Sequence, residues 1–236
     1  MHYSKVLAAA TAAAAATIND TTCNSIQIFL VRGHGETIPG LQTSISDAIC
    51  RSQASSPSSS SCGFQSIAYN ATSDAQTICQ DQHDGIQMLR GNLTAYATAC
   101  PRARLVVSGW SRGDALVTDL LAGGGGGLEL TGTCAQPASP ALAPDEFPGP
   151  RVAAVVTFGE LHHNAGMPWN VGNGSAADGQ YPRTEAMLQS LSLWADRFRD
   201  YCVVDDPLCA RGTDAAAHSS YFQSAYWPEL VAKFVG

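Results

Sequence analysis

Short apolar segments alternate with longer amphipathic segments along the chain. Three apolar segments contain many β-branched residues and few polar ones, which is typical of strands buried on both faces of a parallel sheet: 26–31, 105–108 and 151–158. Between them, apolar residues recur every three or four positions and predict helices over 41–50, 73–99 and 114–121. The alternation predicts an α/β fold, with a central parallel sheet covered by helices on both faces.

The last part of the chain continues this pattern less regularly. It contains a partly helical segment over 188–199, a strand candidate over 198–204 and a closing amphipathic helix over 221–235. No long linker interrupts the pattern, so we expect one domain over residues 17–236.

The first 16 residues do not resemble the start of a folded domain. One positive charge, at Lys5, precedes an Ala-rich apolar run over 6–16. This pattern is typical of a secretory signal peptide and predicts that residues 1–16 are removed. The run is too short to span a bilayer, and no later segment reaches the length that a transmembrane helix needs. We therefore expect a secreted, extracellular protein.

The cysteine content agrees with that location. There are eight cysteines and no Cys-x-x-Cys pair, which favours disulfides over a metal site. Four Asn-x-Ser/Thr sequons also fit a secretory route and predict a glycoprotein: Asn19, Asn70, Asn92 and Asn173. The formal net charge is −7, and Lys5 and Lys233 are the only lysines. Such a chain is a poor binder of nucleic acids and anionic membranes.

A Gly-x-Ser-x-Gly motif over 109–113 lies between the second apolar segment and the helix after it, with Ser111 at its centre. In this context the glycines allow a sharp turn that exposes the serine hydroxyl. The free N–H groups at the start of the helix can stabilise an oxyanion. The motif predicts a nucleophilic serine, and an ordinary glycine-containing turn is the alternative.

Three histidines follow Ser111, and in hydrolases with this motif the base follows both the serine and the acid. Two of them, at 162–163, come directly after a strand with only Glu160 near them on the same loop. His218 is preceded by two adjacent aspartates, 205–206, in a loop that a disulfide could close. His218 is therefore the predicted base, with one of these aspartates to orient its imidazole.

A metal site is the other chemistry that this region could support. Glu160 and the histidines at 162–163 are the candidate ligands. Adjacent histidines on one loop rarely face the same ion, and no further ligand is spaced to join them. We therefore expect neither a metal nor a cofactor.

At this point the chain resembles the family of cutinases and acetylxylan esterases, carbohydrate esterase family five. The similar segments follow in order and cover nearly the whole chain: IFLVRGHGE (28–36), CPRARLVVSGWSRG (100–113), VVTFGE (155–160), YCVVDDPLC (201–209) and His218. The resemblance implies a three-layer α/β/α sandwich with a central parallel sheet and no lid over the serine. It also implies a serine esterase that acts on carboxylic esters of plant cell-wall polymers. The sequence gives no sign of an oligomer, so we expect a monomer.

The resemblance also implies roles for individual residues. The family pattern Cys-x-x-x-Asp-x-x-Cys falls on 202–209 and selects Asp206 over Asp205, which gives a triad of Ser111, Asp206 and His218. The two oxyanion N–H groups of the family fall on His34 and Arg112. The implied disulfides are Cys23–Cys100 and Cys202–Cys209, with Cys50–Cys62 as a local pairing and Cys79–Cys134 as the remainder.

Two of these positions depart from the family. Arg112 stands where the family usually has Gln, which would bring a guanidinium beside the site. His34 stands where cutinases carry a serine whose hydroxyl contacts the oxyanion. The backbone N–H groups remain, so the first hypothesis is an active esterase. The alternative is a catalytically weakened secreted binding or effector protein on the same fold.

Two substrates compete under the first hypothesis, acetyl groups on xylan and the aliphatic polyester cutin. The residues before His218, at 213–217, are small, whereas cutinases tend to carry bulkier aliphatic residues there. Small side chains favour a short acyl group, so the sequence slightly favours acetyl esters.

Overall fold

The computed structural model describes most of the chain: residues 23–54, 61–72, 74, 77–126 and 134–236. The predicted signal peptide, 1–16, and the sequon at Asn19 lie outside the described residues.

A single sheet of six parallel strands forms the centre of the molecule. Its strands are β1 (Ile26–Val31), β2 (Cys62–Ser66), β3 (Arg104–Trp110), β4 (Val152–Phe158), β5 (Asn170–Val171) and β6 (Phe198–Tyr201). They lie in the order β2-β1-β3-β4-β6-β5. β2 and β5 were not predicted, because the sequence CGFQS of β2 has no apolar run and β5 has only two residues.

Helices cover both faces of the sheet, as predicted. They are α1 (Thr43–Ala54), α2 (Ile78–Ala99), α3 (Arg112–Ala122), α4 (Glu185–Ser192) and α5 (Tyr226–Val235), with 3₁₀ helices at Gly149–Arg151 and Ala217–Phe222. α1 and α5 pack together on one face, while α3 packs between α2 and α4 on the other. No helix in the described ranges is both long enough and apolar enough to cross a membrane. The α/β/α sandwich is confirmed.

β1 shows why its residues 28–31 are all apolar. Ile28 and Leu30 belong to the core beneath α1 and α5, whereas Phe29 and Val31 belong to the core beneath α2 and α3. All four are completely buried, because successive residues of a strand point to opposite faces. Burial of each such side chain stabilises the fold by about 1.5–3 kcal/mol.

All four expected disulfides are confirmed, and none of the described cysteines is free: Cys23–Cys100, Cys50–Cys62, Cys79–Cys134 and Cys202–Cys209. Cys202–Cys209 closes the loop directly after β6, at the carboxyl end of the sheet.

Candidate active site

Ser111 occupies the sharp turn between β3 and α3 that the motif predicts. Its φ is 57° and its ψ is −125°, an unusual conformation for a residue other than glycine. Its N–H donates to the carbonyl oxygen of Phe158, the last residue of β4, over 2.9 Å. This contact ties the turn to the neighbouring strand.

The two glycines of the motif are required by close contacts. A Cβ on Gly113 would lie 2.0 Å from the carbonyl oxygen of Val31, where α3 crosses the end of β1. A Cβ on Gly109 would lie 2.7 Å from Cα of Asp114. Larger residues would push α3 away from the sheet and displace Ser111.

Asp206 and His218 are hydrogen-bonded to each other. Nδ1 of His218 lies 3.0 Å from Oδ2 and 3.1 Å from Oδ1 of Asp206. Asp206 is fully buried, and 15% of the His218 side chain is exposed. The neighbouring Asp205 is exposed and has a φ of 70° at the loop turn. Of the two aspartates, only Asp206 contacts the histidine.

The surroundings of Asp206 favour its charged form. Burial alone would raise the pKa of this carboxyl, but the hydrogen bonds from His218, Leu208 and Tyr221 hold it below its usual value. Because the carboxyl is an ionised acceptor, Nδ1 of His218 carries the proton of this hydrogen bond. Nε2 is then the nitrogen that can accept a proton.

Contacts at the carboxyl ends of β3, β4 and β6 place His218 beside the turn that carries Ser111. The indole ring of Trp110, next to Ser111, stacks on the imidazole of His218. A Cβ on Gly159, which follows the strand that binds Ser111, would lie 2.7 Å from Cε1 of His218. Nε2 of His218 is buried and makes no hydrogen bond within the described chain, so the hydroxyl of Ser111 is not bonded to it in the resting structure. Such bonds often form only with substrate present.

The loop after β1 holds His34 between anchored neighbours. The N–H of Gly33 donates to Oε2 of Glu36 over 2.6 Å, and that of Gly35 donates to the carbonyl oxygen of Ala71 over 2.8 Å. The backbone N–H of His34 donates to no group in the described residues, and its side chain is exposed. One N–H group in a fixed loop is therefore left available.

Two side chains hold this loop in shape. Oε1 of Glu36 also accepts from the N–H of Leu41 over 2.8 Å. The guanidinium of Arg32 donates to the carbonyl oxygens of Glu36, Ile67 and Tyr69 over 2.6–2.9 Å. The loop is thus bonded both to itself and to the segment after β2.

The backbone N–H of Arg112 is available, whereas its side chain is fully engaged by the protein. As the first residue of α3 it has an N–H with no helical partner, and this N–H donates to no other described group. Its side chain is 3% exposed and donates to the carbonyl oxygens of Thr72 and Ile78 and to Oε1 of Gln82. The guanidinium is therefore not free beside the active site, as the sequence had suggested: it is bonded to three acceptors, one at residue 72 and two in the first turns of α2.

A second group of charged residues lies buried behind the turn. Oε1 of Glu160 lies 3.3 Å from the guanidinium of Arg183, which is also bonded to Asp119 over 2.8 Å. Burial, followed by repulsion from Glu160 and Asp200, raises the pKa of Asp114 well above its usual value. Burial is the largest influence on Glu160 and would raise its pKa, but the charges of Arg183 and His162 and further polar contacts together outweigh burial, so the pKa is lowered. Asp114 is therefore harder to ionise than an ordinary aspartic acid, and neither of its carboxyl oxygens has a hydrogen-bond partner among the described residues.

The two adjacent histidines bind protein groups. Nδ1 of His162 lies 2.7 Å from the carbonyl oxygen of Tyr181, and Nδ1 of His163 is bonded to Asp200. Burial lowers the pKa of His163, but Asp200 more than compensates, so the net shift is upward. Within the described ranges, no group of three or more His, Cys, Asp or Glu residues could hold a metal ion.

Two residues of this site were missed by the sequence analysis, Trp110 and Tyr221. Both contact His218 or its aspartate. Their signal in the sequence is weak: Trp110 precedes the motif serine, and Tyr221 follows His218 by one turn of a 3₁₀ helix.

Comparison with known families agrees with this geometry. The sequence model of the cutinase family matches residues 22–235. The chain belongs to the cutinase family. Acetylxylan esterase 2 of Talaromyces purpureogenus is 29% identical over 161 residues, which is 68% of this chain and 62% of that protein. A cutinase of Kineococcus radiotolerans is 30% identical over 202 residues, which is 85% of this chain and 57% of that protein. The matched regions thus span about three fifths of both relatives.

Solved structures with the same fold include family members of both names. The catalytic core of acetyl xylan esterase from Trichoderma reesei superposes with a TM-score of 0.71 at 21% identity, over 90% of this chain and 98% of that one. A cutinase-like protein from Cryptococcus sp. superposes with a TM-score of 0.63 at 17% identity, over 92% of this chain and 96% of that one. This cutinase-family chain therefore has the fold that the sequence predicted.

Proposed function

We propose that this protein is a secreted, monomeric serine esterase that hydrolyses carboxylic esters of plant cell-wall polymers through Ser111, His218 and Asp206. The observation that carries the proposal is the hydrogen bond between Nδ1 of His218 and the buried carboxylate of Asp206. It gives the imidazole the tautomer that a base for Ser111 requires. The esterase names of the family relatives support the same reaction type.

In the proposed mechanism, Nε2 of His218 takes the hydroxyl proton as Oγ of Ser111 bonds to the ester carbonyl carbon. The tetrahedral intermediate collapses, its bond to the alcohol oxygen breaks, and the alcohol leaves with the proton from Nε2. A water molecule then attacks the acyl-serine with help from the same nitrogen. The carboxylic acid is released and Ser111 regains its proton.

The negative oxygen of each intermediate requires donors that are already in place. The N–H groups of His34 and Arg112 support this role, because both are left without a partner within the described chain. Removal of one such donor typically lowers the rate by about 10²–10³-fold. The exposed imidazole of His34 is not needed for this role, because the donor is the backbone.

For the substrate, we propose a short acyl group, such as acetyl on a polysaccharide. The residues at 213–216, before His218, are small and exposed. Two of the similar proteins described above are named acetylxylan esterases, while others are named cutinases. A binding function without turnover has less support, since the side chain of Arg112 lies away from the site.

Secretion is part of the proposal. The Ala-rich pattern of residues 1–16 and four disulfides both fit an oxidising compartment. Expression with the native amino terminus in a secreting host, followed by amino-terminal sequencing of the protein in the medium, tests this part. Retention of the full chain in the cell would contradict it.

The activity is tested by the rate of p-nitrophenyl ester hydrolysis from acetate to palmitate. Ser111→Ala is the blank, and Ser108→Ala, in the strand that precedes Ser111, is the matched control for loss of a hydroxyl. We expect activity well above the blank, greatest at acetate or butyrate. A maximum at long chains would indicate a cutinase, and activity no higher than the blank would reject the esterase proposal in favour of a binding protein.

A fluorophosphonate probe adds an independent test. It should label the wild-type protein covalently at Ser111, and neither Ser111→Ala nor His218→Ala should be labelled at a comparable rate. Labelling at another residue would contradict the choice of nucleophile.

A further inference from the structure

The carboxylate of Asp206 has a second strong donor besides His218. The hydroxyl of Tyr221 donates to Oδ2 of Asp206 over 2.8 Å, and the N–H of Leu208 donates to Oδ1 over the same distance. His218 lies 3.0 Å from Oδ2 and 3.1 Å from Oδ1, almost equidistant. The plane of the carboxylate is thus held from one side by the backbone and from the other by a tyrosine.

Tyr221 is built into the fold at this point. It is completely buried, and its ring lies 5.6 Å from that of Phe158 and 6.2 Å from that of Trp227. Its oxygen accepts a hydrogen bond from the N–H of Val203 over 3.2 Å. Because the N–H of Val203 donates to the oxygen of Tyr221, the hydrogen of this hydroxyl is free to point to Asp206.

The local helix explains why one short segment supplies two partners for the same carboxylate. His218 and Tyr221 both lie in the 3₁₀ helix Ala217–Phe222. In a 3₁₀ helix, residues three apart lie on the same side. An α-helix would rotate them by about 60° relative to each other, and only one would face Asp206 as directly.

The electrostatic surroundings keep the hydroxyl protonated. Burial, and then the negative charges of Asp206 and Asp200, raise the pKa of Tyr221 far above its usual value. Among the described residues, these two aspartates are the charged groups that act on the hydroxyl. The raised pKa agrees with the geometry, in which the hydroxyl donates to Asp206.

We infer that Tyr221 is a positioning residue of the active site, which fixes the carboxylate of Asp206 in the orientation that holds His218 ready to accept the proton of Ser111. This inference rests on the proposed esterase function for its kinetic consequences. Tyr221 does not touch the reacting atoms, and its effect passes through Asp206. Without this hydroxyl the carboxylate of Asp206 could rotate. Its negative charge would also be less neutralised by other donors and would interact more strongly with the imidazole of His218.

The test is Tyr221→Phe, which removes only the hydroxyl. We expect kcat for p-nitrophenyl acetate to fall about tenfold with KM unchanged, and the acid limb of the kcat/KM profile to move about half a pH unit upward. The upward shift follows because a carboxylate with one donor fewer stabilises the charged imidazole more strongly. A purely structural role would lower thermal stability without moving this limb.

Tyr201→Phe is the matched control. Tyr201 is equally buried and stacks on the same Phe158 ring at 4.9 Å, but it makes no hydrogen bond to Asp206. It should leave kcat and the pH profile within twofold and 0.2 pH units of wild type. A double variant with Asp206→Ala completes the test: in that background Tyr221→Phe should change kcat by less than twofold, because the acceptor through which it acts is gone.

A second measurement does not depend on turnover. In nitrogen-15 NMR titrations of the resting protein, the midpoint for the His218 imidazole should lie at higher pH in Tyr221→Phe than in wild type. An unchanged midpoint, or a full tenfold effect of Tyr221→Phe in the Asp206→Ala background, would overturn the inference. Inactivity of wild type with a shifted midpoint would reject the esterase proposal and leave the positioning role standing.

Discussion

The indole of Trp110 and the imidazole of His218 stack with 5.3 Å between their centroids and 30° between their planes. Nε1 of the same indole donates to the carbonyl oxygen of His218 over 2.8 Å. The residue before Ser111 therefore holds both the ring and the backbone of the predicted base. Trp110, which is not part of the predicted triad, thus fixes the distance between Ser111 and His218.

We predict that Trp110→Phe lowers kcat about three- to tenfold at unchanged KM. The phenyl ring keeps part of the stacking but loses the bond to the backbone of His218, a contact of about 0.5–1.5 kcal/mol. Trp194→Phe is the matched control, since its buried indole donates to the carbonyl oxygen of Leu142 instead. Thermal denaturation should show comparable destabilisation in both variants, and equal losses of kcat would refute a specific role for Trp110.

Arg112→Ala should unfold more easily than wild type, by about 3 kcal/mol or more. Its guanidinium is buried against three acceptors, and each would lose a charge-assisted hydrogen bond of about 1.5–3 kcal/mol. Urea denaturation measures the loss. Arg112→Lys should recover only part of it, because an ammonium cannot reproduce the planar set of donors.

The same variants test whether Arg112 selects charged substrates. Because its side chain faces α2, the ratio of rates on an anionic and a neutral ester of equal size should be the same in wild type and Arg112→Lys. A ratio altered more than threefold would show that the guanidinium reaches the substrate.

Asp114→Asn should stabilise the protein increasingly as the pH rises from 4 to 8. An unfolded aspartic acid has a pKa of about 3.9, and burial raises the pKa of Asp114 well above that value. Between the two values the folded state binds more protons than the unfolded state, so the stability of wild type falls with pH, by at most about 1.4 kcal/mol per unit. The amide of Asn has nearly the same shape as the carboxyl group and does not titrate.

The difference in melting temperature between Asp114→Asn and wild type, measured across this range, checks the prediction. Asp119→Asn is the control, because Asp119 is ion-paired with Arg183 at 2.8 Å, and its loss should destabilise the protein. A difference for Asp114→Asn that does not change with pH would mean that Asp114 is charged in the folded protein.

Removal of Cys202–Cys209 by the double serine variant should reduce both stability and kcat. Opening a loop of this size costs about 2–3 kcal/mol, and the loop also carries Asp206. The double serine variant of Cys50–Cys62, at the opposite edge of the sheet, should lose similar stability with kcat unchanged. Equal effects of the two variants on kcat would contradict the link to Asp206.

Ala216→Leu should shift the preference of the enzyme toward longer acyl chains. Residue 216 lies in the exposed segment just before the helix of His218, where a larger apolar side chain can contact an acyl chain. The measurement is the ratio of kcat/KM for butyrate and octanoate esters. If the ratio is unchanged, the small side chains near His218 no longer support a preference for acetyl substrates.

The sequence predicted the parts of the fold that depend on continuous apolar runs. β1, β3 and β4 are buried on both faces, so their composition alone identifies them. β2 lies at the edge of the sheet and has a polar sequence, so nothing in its composition marks it. The predicted closing helix is divided into a 3₁₀ helix ending at Phe222 and α5, a change of winding that apolar spacing does not reveal.

In the candidate site, features set by residues close together in the sequence could be predicted, whereas contacts between residues far apart in the sequence could not. Ser111 was identifiable because its motif is local, and the pairing of Asp206 with His218 relied on family resemblance as well as on the loop cysteines. The orientation of Arg112 could not be predicted, because its acceptors come from a segment some 30–40 positions earlier in the chain. Tyr221 was missed because its partner lies 15 positions away.

The carboxylate of Glu36, which bonds the N–H groups of Gly33 and Leu41, bears on the physical form of the substrate. A loop whose shape is set by its own side chain does not need contact with an oil–water boundary to adopt its working conformation. The rate should therefore rise smoothly as a soluble ester is concentrated through its critical micelle concentration. The active site would have the same conformation toward dissolved ester monomers as toward insoluble ester particles.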